Sequence, residues 1–158
     1  MLTGQPEMQG GLVKTLDFKV YLGLLSETYN PAHAADMIRA GAVPIDLVVA
    51  NLYPFASVVS QPQVTPEAAR ANIDIGGPCM IRAAAKNFHR VAALTDPADY
   101  QSILAELADG GRLSLATRWR LAQKAFAVTA AYDSAICSYP SQLAFVRVRG
   151  AYDVKSGS

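Results

Sequence analysis

The feature that most constrains the fold is a short, almost uniformly apolar run over residues 45–52, Ile-Asp-Leu-Val-Val-Ala-Asn-Leu. A run of this length that is rich in β-branched residues predicts a strand that is buried on both faces, as in a parallel sheet. A second short apolar run lies at 91–95. Helical segments alternate with the two runs, so the sequence predicts an α/β domain with a mainly parallel sheet flanked by helices.

Several predicted helices begin where a capping residue precedes a proline. Asn30-Pro31 opens a helix that Gly41 ends, and Thr65-Pro66 opens another. Further helices are predicted at 79–87 with Pro78 at the first position, from Asp96 to Gly110, and over 114–139. A strand or a helical turn is possible at 20–25, a loop is predicted at 57–63, and a weak strand at 145–149.

The long helix predicted over 114–139 has apolar side chains at helical spacing. They are Leu115, Trp119, Ala122, Phe126 and Thr129, and Trp119 and Phe126 are interpreted as core anchors. Pro140 is expected to end this helix, because a proline lacks the N–H that continues the hydrogen-bond ladder.

Composition narrows the functional class. Of the 158 residues, 51% are hydrophobic and 17% are charged, which is typical of a globular domain with a core. The net charge of +1 argues against a broad nucleic-acid footprint. No apolar run reaches the length of a bilayer span, and no signal peptide is recognisable. Cys79 and Cys137 have no metal-type spacing; they are expected to be small core residues of a reduced, cytosolic protein.

The segment from Asp74 to Lys86 is the first candidate for chemistry. Gly76 and Gly77 precede a predicted helix, and N–H groups at a helix start can meet an anion or a carbonyl oxygen. Arg82 and Lys86 are four residues apart and therefore share a helix face. A lysine partly desolvated beside small neighbours could move protons near neutral pH. The alternative is an ordinary glycine turn before a helix with solvated cations.

Three further residues are candidates. Tyr53 follows the predicted strand, where a phenol can donate to a developing oxyanion, or can simply pack. Lys14 and Thr15 form a pair that can hold a phosphate, although many surface loops contain such a pair. The two histidines have no partner at metal spacing, and no metal site is predicted.

Three strings closely resemble the signature segments of the IMP cyclohydrolase domain in the bifunctional AICAR transformylase/IMP cyclohydrolase family. They are 51–55 (NLYPF), 72–77 (NIDIGG) and 81–87 (IRAAAKN). Shorter matches follow in the right order: 3–7 (TGQPE), 13–16 (VKTL), 44–49 (PIDLVV), 96–100 (DPADY), 124–126 (KAF) and 131–133 (AYD). The resemblance covers residues 3–139, and 140–158 is expected to be an unmatched tail.

The resemblance implies a methylglyoxal synthase-like fold, a parallel sheet flanked by helices, here incomplete on its N-terminal side. It implies closure of formyl-AICAR to IMP with loss of water, without a metal or redox cofactor. The implied partners are this purine nucleotide and a second copy in a homodimer, in the cytosol, with no nucleic acid and no membrane. Transformylase activity is not expected. The alternative is a non-catalytic nucleotide-binding or partner-binding fragment of the bifunctional enzyme.

By matching motif, Lys86 would be the proton donor and acceptor, Asp74 would bind the substrate carboxamide, and Tyr53 would assist at the formyl oxygen. The implied substrate-binding residues are Lys14 and Thr15 near the ribose phosphate, Asn51, Ile75, Gly76 and Gly77 around the base, and Arg82. Four positions depart from the family pattern. Leu12 replaces an arginine, Asp17-Phe18 replaces His-Pro, and Tyr21 replaces a histidine, so the phosphate side is expected to be depleted.

Overall fold

The computed structural model describes residues 16–152 of the chain. The chain divides into two compact units. The first unit comprises Met1–Asn51 and Ile75–Thr129, and the second comprises Leu52–Asp74 and Ala130–Ser158. Lys14 and Thr15, the predicted phosphate-binding pair, lie outside the described residues.

The helices and strands follow one another in the order α1 (Phe18–Leu25), α2 (Pro31–Ala40), β1 (Leu47–Val49), α3 (Phe55–Val59), α4 (Pro66–Ala71), α5 (Gly76–Lys86), β2 (Ala92–Leu94), a 3₁₀ turn (Pro97–Asp99), α6 (Tyr100–Gly110), α7 (Leu115–Gln142) and α8 (Phe145–Ala151). The two strands pair in parallel, with Val48 opposite Ala93, and α5 packs against both. The predicted α/β class with a parallel sheet flanked by helices is therefore confirmed.

The prediction that 45–52 is a strand buried on both faces is wrong. Only Leu47–Val49 forms a strand, and within it Val48 alone is buried. Leu47 and Val49 are 37% and 52% exposed. Leu47 and Val49 lie on the same sheet face as the β2 residues opposite them. Within residues 16–152, the side chains that cover this face of β2 do not extend over β1.

That cover is the core of the first unit. It consists of Ala92 and Leu94 of β2, Ile103 of α6, Leu113 just before α7, and Leu121 of α7. Tyr100 and Leu107 pack at the edge of this core. Since every residue of β2 is buried while β1 is open on one face, the sheet is stabilised mainly through its second strand.

The buried stripe of α7 differs from the one expected. The buried residues are Leu121, Ala122, Ala125 and Thr129. Trp119 and Phe126 are 49% and 39% exposed. The Trp119 ring packs against the Phe88 ring, with 4.7 Å between the ring centroids. The interpretation of both aromatics as core anchors is therefore wrong. Ala122 and Thr129 of the predicted row are buried, and Leu121 and Ala125 face the core in place of the two aromatics, where small residues allow close packing.

Local signals at the helix starts are confirmed. The Asn30 side chain accepts from the Ala32 N–H, and the Thr65 side chain accepts from the Ala68 N–H. Gly41 ends α2 in the left-handed region at φ 61°. These features depend on a few neighbouring residues, which is why sequence alone identifies them.

Other local predictions need correction. Part of the expected loop at 57–63 belongs to α3, and the turn expected at Gly76-Gly77 is already the first turn of α5. Helix α7 continues past Pro140 to Gln142. The weak strand expected at 145–149 is helical. Both cysteines are exposed thiols rather than core residues.

In the second unit, Phe55 is the buried centre. Its side chain is 1% exposed, and the rings of Tyr132 and Tyr139 meet it edge-on at 6.3 and 6.1 Å. At the end of α8, the Tyr152 hydroxyl donates to the Glu67 carboxylate on α4. The unit thus combines one aromatic cluster with a polar tie between two short helices.

The end of α1 is held by side chains that follow α5. The last carbonyls of a helix have no partner within it. The Asn87 amide donates to the carbonyls of Leu24 and Ser26 at 2.7 and 3.2 Å. Arg90 Nε donates to the Ser26 carbonyl at 2.9 Å as well. Two side chains therefore satisfy these carbonyls where water has little access.

Arg90 also reaches the start of β1. Its guanidinium donates to the Gly23 carbonyl and to the Asp46 carboxylate, and only 10% of its side chain is exposed. The Ile45 N–H donates to the same Gly23 carbonyl at 3.0 Å. One arginine thus ties α1, the approach to β1 and the approach to β2 together.

We expect Arg90→Ala to lower the free energy of unfolding by about 2–4 kcal/mol, because it leaves several buried carbonyls without a donor. Urea unfolding followed by circular dichroism measures the change. The control is Arg39→Ala, which removes an exposed arginine that, among residues 16–152, pairs only with Asp36 on its own helix. Equal stability of the two variants would contradict the prediction.

A second cluster joins the 3₁₀ turn to α7. The Asp99 carboxylate, 11% exposed, accepts from Lys124 at 2.7 Å and from Arg120 at 2.8 Å. Lys124 also pairs with Asp96 at 2.6 Å. The hydrogen bond from Lys124, and next that from Arg120, lower the pKa of Asp99 from its ordinary value. The carboxylate is therefore stabilised in its charged form by the fold.

We expect this cluster to make stability acid-sensitive. A carboxyl whose pKa is lower in the folded state stabilises the fold above its unfolded pKa, and that stabilisation is lost as the pH falls through the folded pKa. Asp99→Asn should therefore lower the melting temperature near neutral pH. As the pH then falls below about 4, the melting temperature of the variant should decrease less than that of the wild type. Thermal unfolding at several pH values tests this, with Asp109→Asn, an exposed carboxyl of α6, as control. A parallel pH profile for Asp99→Asn and the wild type would argue against it.

Candidate functional site

The predicted site residues are divided between the two units. Asn51, Ile75, Gly76, Gly77, Arg82 and Lys86 belong to the first unit, and Tyr53 and Asp74 belong to the second. The roles that the resemblance implies for Asp74, Lys86 and Tyr53 stay predictions of the sequence.

Helix α5 presents most of the candidates in the first unit. Its exposed residues recur at Ile75, Cys79, Arg82 and Lys86, a spacing that places them along one face. Gly76 and Gly77 form the first turn of the helix and are half-buried. The prediction that Arg82 and Lys86 share a helix face agrees with this spacing.

Lys86 is the last residue of α5, and its side chain is exposed. The three alanines before it are buried and pack into the unit. They therefore serve the helix–sheet contact, and the lysine beside them is exposed rather than partly desolvated. Lys86 makes no hydrogen bond or ion pair to any residue in the range 16–152, so its ammonium is available to a ligand.

Arg82 has a different environment. Its guanidinium carbon lies 5.5 Å from the centre of the Phe126 ring on α7, within the range of a cation–π contact. Such a contact steadies the side chain without using its N–H donors. The N–H donors of Arg82 are therefore available to an anion while the contact with Phe126 restrains the side chain.

Asn51 follows β1 at its carboxyl end. The strand ends at Val49, and the Ala50 N–H donates to the Leu94 carbonyl at 3.0 Å, so the pairing with β2 extends almost to this residue. Asn51 is exposed. In parallel sheets, ligands bind beyond the carboxyl ends of the strands, and Asn51 occupies such a place.

In the second unit, Tyr53 is 52% exposed, so its phenol reaches solvent instead of packing inward. Asp74 is half-buried, and its N–H donates to the Tyr132 hydroxyl oxygen at 2.8 Å. The same hydroxyl donates to the Asn72 carbonyl at 3.1 Å. Sequence reasoning did not select Tyr132, although it lies in one of the strings that resemble the family.

Tyr21, where the family has a histidine, lies on α1 in the first unit. Burial, and next the nearby Cys79 thiol, raise the pKa of its phenol. Tyr21 lines a groove of about 450 Å³ between α1 and α2, together with Phe18, Leu22 and Met37. None of the predicted site residues in the described range lines this groove.

Residues 16–152 contain neither a metal-binding cluster nor a helix that could span a membrane. Within that range, His, Cys, Asp and Glu side chains form no group of three or more that could hold a metal ion. None of the helices there combines the length and apolar character needed to cross a membrane.

Comparison with known proteins identifies the relatives of this chain. The profile described as "AICARFT/IMPCHase bienzyme" matches residues 84–154. The bifunctional purine biosynthesis protein PurH of Synechococcus sp. (strain WH7803) is 55% identical over 135 residues, which are 85% of this chain and 26% of that protein. PurH of Chlorobium phaeovibrioides is 50% identical over 151 residues, 95% of this chain and 29% of that protein.

PurH of Sorangium cellulosum is 52% identical over 141 residues, 89% of this chain and 27% of that protein. The chain thus spans about a quarter of the length of these curated relatives. Among solved structures, the crystal structure of ForH is similar with a TM-score of 0.77 and 38% sequence identity, over 89% of this chain and 72% of that chain. This likeness agrees with a methylglyoxal synthase-like α/β fold.

Proposed function

Because the chain belongs to the AICARFT/IMPCHase bienzyme family, we propose that it performs the IMP cyclohydrolase step, the closure of formyl-AICAR to IMP with loss of water. The observation that carries the proposal is the exposed lysine at the end of α5. Lys86 lies in a string that resembles the family signature, and it has no hydrogen-bond or ion-pair partner among residues 16–152. Its ammonium is therefore accessible to a bound substrate.

The reaction sets clear requirements for the residues. The carboxamide nitrogen attacks the formyl carbon and loses one proton, and the formyl oxygen takes up a proton to become a hydroxyl. The C–O bond then breaks, the formamide nitrogen gives up its proton as the ring C=N bond forms, and the hydroxyl leaves with a proton as water. In the proposal, Asp74 holds the carboxamide, Lys86 moves the proton, and Tyr53 donates to the developing oxyanion. Since the atoms that react belong to one substrate, most of the acceleration comes from holding it in a reactive conformation.

The remaining candidates bind the nucleotide. The backbone of Ile75 and Gly76, with Gly77 beside them, contacts the base, and Asn51 lines the same pocket from the end of β1. Arg82 supplies a fixed cation on the face that carries Lys86. Lys14 and Thr15 hold the ribose phosphate in this proposal.

We expect Lys86→Ala to lower kcat for IMP formation by about 10²–10⁴-fold, the range typical of a lost acid–base group. Purified protein is incubated with formyl-AICAR, and IMP absorbance is followed. The control Arg39→Ala removes an exposed cation of α2 and should leave turnover unchanged.

Two outcomes count against this proposal. Wild-type turnover in Lys86→Ala would remove the lysine from the mechanism. Binding of IMP by the wild-type chain without any turnover of formyl-AICAR would favour the alternative, a non-catalytic nucleotide-binding protein. Isothermal titration with IMP distinguishes that alternative from a chain that does not recognise the nucleotide.

The proposal extends to a homodimer. In the first unit, Leu47 and Val49 of β1 and Ile38 of α2 expose apolar side chains, Ile38 to 83%. Exposed apolar strand residues favour association with another chain. We expect light scattering to give the mass of a dimer, and Val49→Lys to shift the protein towards the monomer, whereas Arg39→Lys should not. A wild-type monomer at micromolar concentration would contradict this.

The cytosol is the proposed location. Cys79 and Cys137 are free, exposed thiols, which fits a reducing compartment.

A further inference from the structure

The Tyr132 hydroxyl is hydrogen-bonded to the backbone at both ends of the segment 72–74. The Tyr132 hydroxyl accepts from the Asp74 N–H at 2.8 Å and donates to the Asn72 carbonyl at 3.1 Å. The first distance lies within the usual range of an N–H···O bond, and the second is slightly long for an O–H···O bond. A single oxygen therefore holds the backbone on both sides of Ile73, across 58 residues of sequence.

The phenol is itself held in place. The Tyr132 ring meets the Phe55 ring edge-on, at 6.3 Å between centroids and 69° between planes. Phe55 is 1% exposed and cannot move without disturbing the centre of the second unit. Because Phe55 belongs to the 51–55 string and Asp74 to the 72–77 string, Tyr132 connects two segments that resemble the family signature.

The charge state of the phenol suits this role. Burial raises the pKa of Tyr132, and the nearby negative charges of Asp74 and Asp133 raise it further, while the hydrogen bond from the Asp74 backbone acts in the opposite direction. The hydroxyl therefore keeps its proton near neutral pH. It needs that proton to donate to the Asn72 carbonyl while it accepts from the Asp74 N–H.

We infer that Tyr132 is a positioning residue: its hydroxyl fixes the Asp74 backbone and thereby the direction from which the Asp74 carboxylate meets the substrate carboxamide. This inference rests on the proposed function, in which Asp74 holds that carboxamide. A carboxylate displaced by about 1 Å can lower a rate by about 100-fold, so two backbone hydrogen bonds have a measurable effect on turnover.

The chain offers a matched pair of variants. Tyr139 lies on the same helix, and its ring also meets Phe55 edge-on, at 6.1 Å and 87°. Its hydroxyl is buried but has no hydrogen-bond partner among the described residues. Tyr132→Phe therefore removes two hydrogen bonds, and Tyr139→Phe removes none, while both keep an aromatic ring against Phe55.

The kinetic test compares these variants with the wild-type chain at a temperature at which all are folded. We expect Tyr132→Phe to lower kcat for IMP formation by about 10- to 100-fold with a much smaller change in KM, and Tyr139→Phe to keep both constants. A purely structural tyrosine would lower the melting temperature without this selective loss of kcat. Wild-type kcat in Tyr132→Phe would overturn the inference and leave the cyclohydrolase proposal intact.

A second readout does not depend on activity. Hydrogen exchange of the Asp74 amide, followed by NMR, should be slow in the wild type and in Tyr139→Phe and at least about tenfold faster in Tyr132→Phe. If the wild type forms no IMP, the proposed function fails, and the exchange rates alone decide whether Tyr132 holds Asp74. Equal exchange of this amide in all three proteins would overturn the inference.

Discussion

The first unit depends on the contact between the end of α5 and the end of α1. The carbonyls that close α1 have no partners within the helix, and water has little access to them. Asn87 and Arg90 supply the donors, and Arg90 also binds the Asp46 carboxylate before β1. Because an unpaired buried carbonyl costs about 1–3 kcal/mol, these donors fix the relative position of α1 and both strands.

The same region connects stability with the proposed chemistry. Lys86 directly precedes Asn87, so the residue that anchors α5 is adjacent to the residue proposed to move a proton. The inner face of α5 carries small alanines that pack against the sheet, and the outer face carries Arg82 and Lys86. One helix therefore serves the core with one face and offers cations to a ligand with the other.

In the second unit, aromatic residues hold the backbone in place. Phe55 is buried and holds the Tyr132 ring edge-on, and the Tyr132 hydroxyl holds the backbone at Asp74. In the first unit, the proposed site residue Lys86 precedes a residue whose side chain holds a distant backbone segment, and in the second unit a distant side chain holds the backbone of Asp74 itself. Precise placement of reacting groups requires this kind of support, because a loop alone leaves them too mobile.

The sequence by itself determined the features that depend on near neighbours and on matching strings. Caps at Asn30 and Thr65, the α/β class and the family were all predictable, since a cap needs only a side-chain oxygen and an N–H two or three residues away. The strings that resemble the family signature also pointed to Asp74 and Lys86, whose roles stay predictions.

Tertiary structure decided which surfaces are covered. Trp119 and Phe126 follow a helical period as well as Leu121 and Ala125 do, but the core packs on the second pair. The run at 45–52 is as apolar as a buried strand, but only Val48 in β1 is covered. The part played by Tyr132 at Asp74 depends on a contact across 58 residues. Burial and long-range hydrogen bonds depend on which residues distant in sequence pack against a segment, and the local sequence does not carry that information.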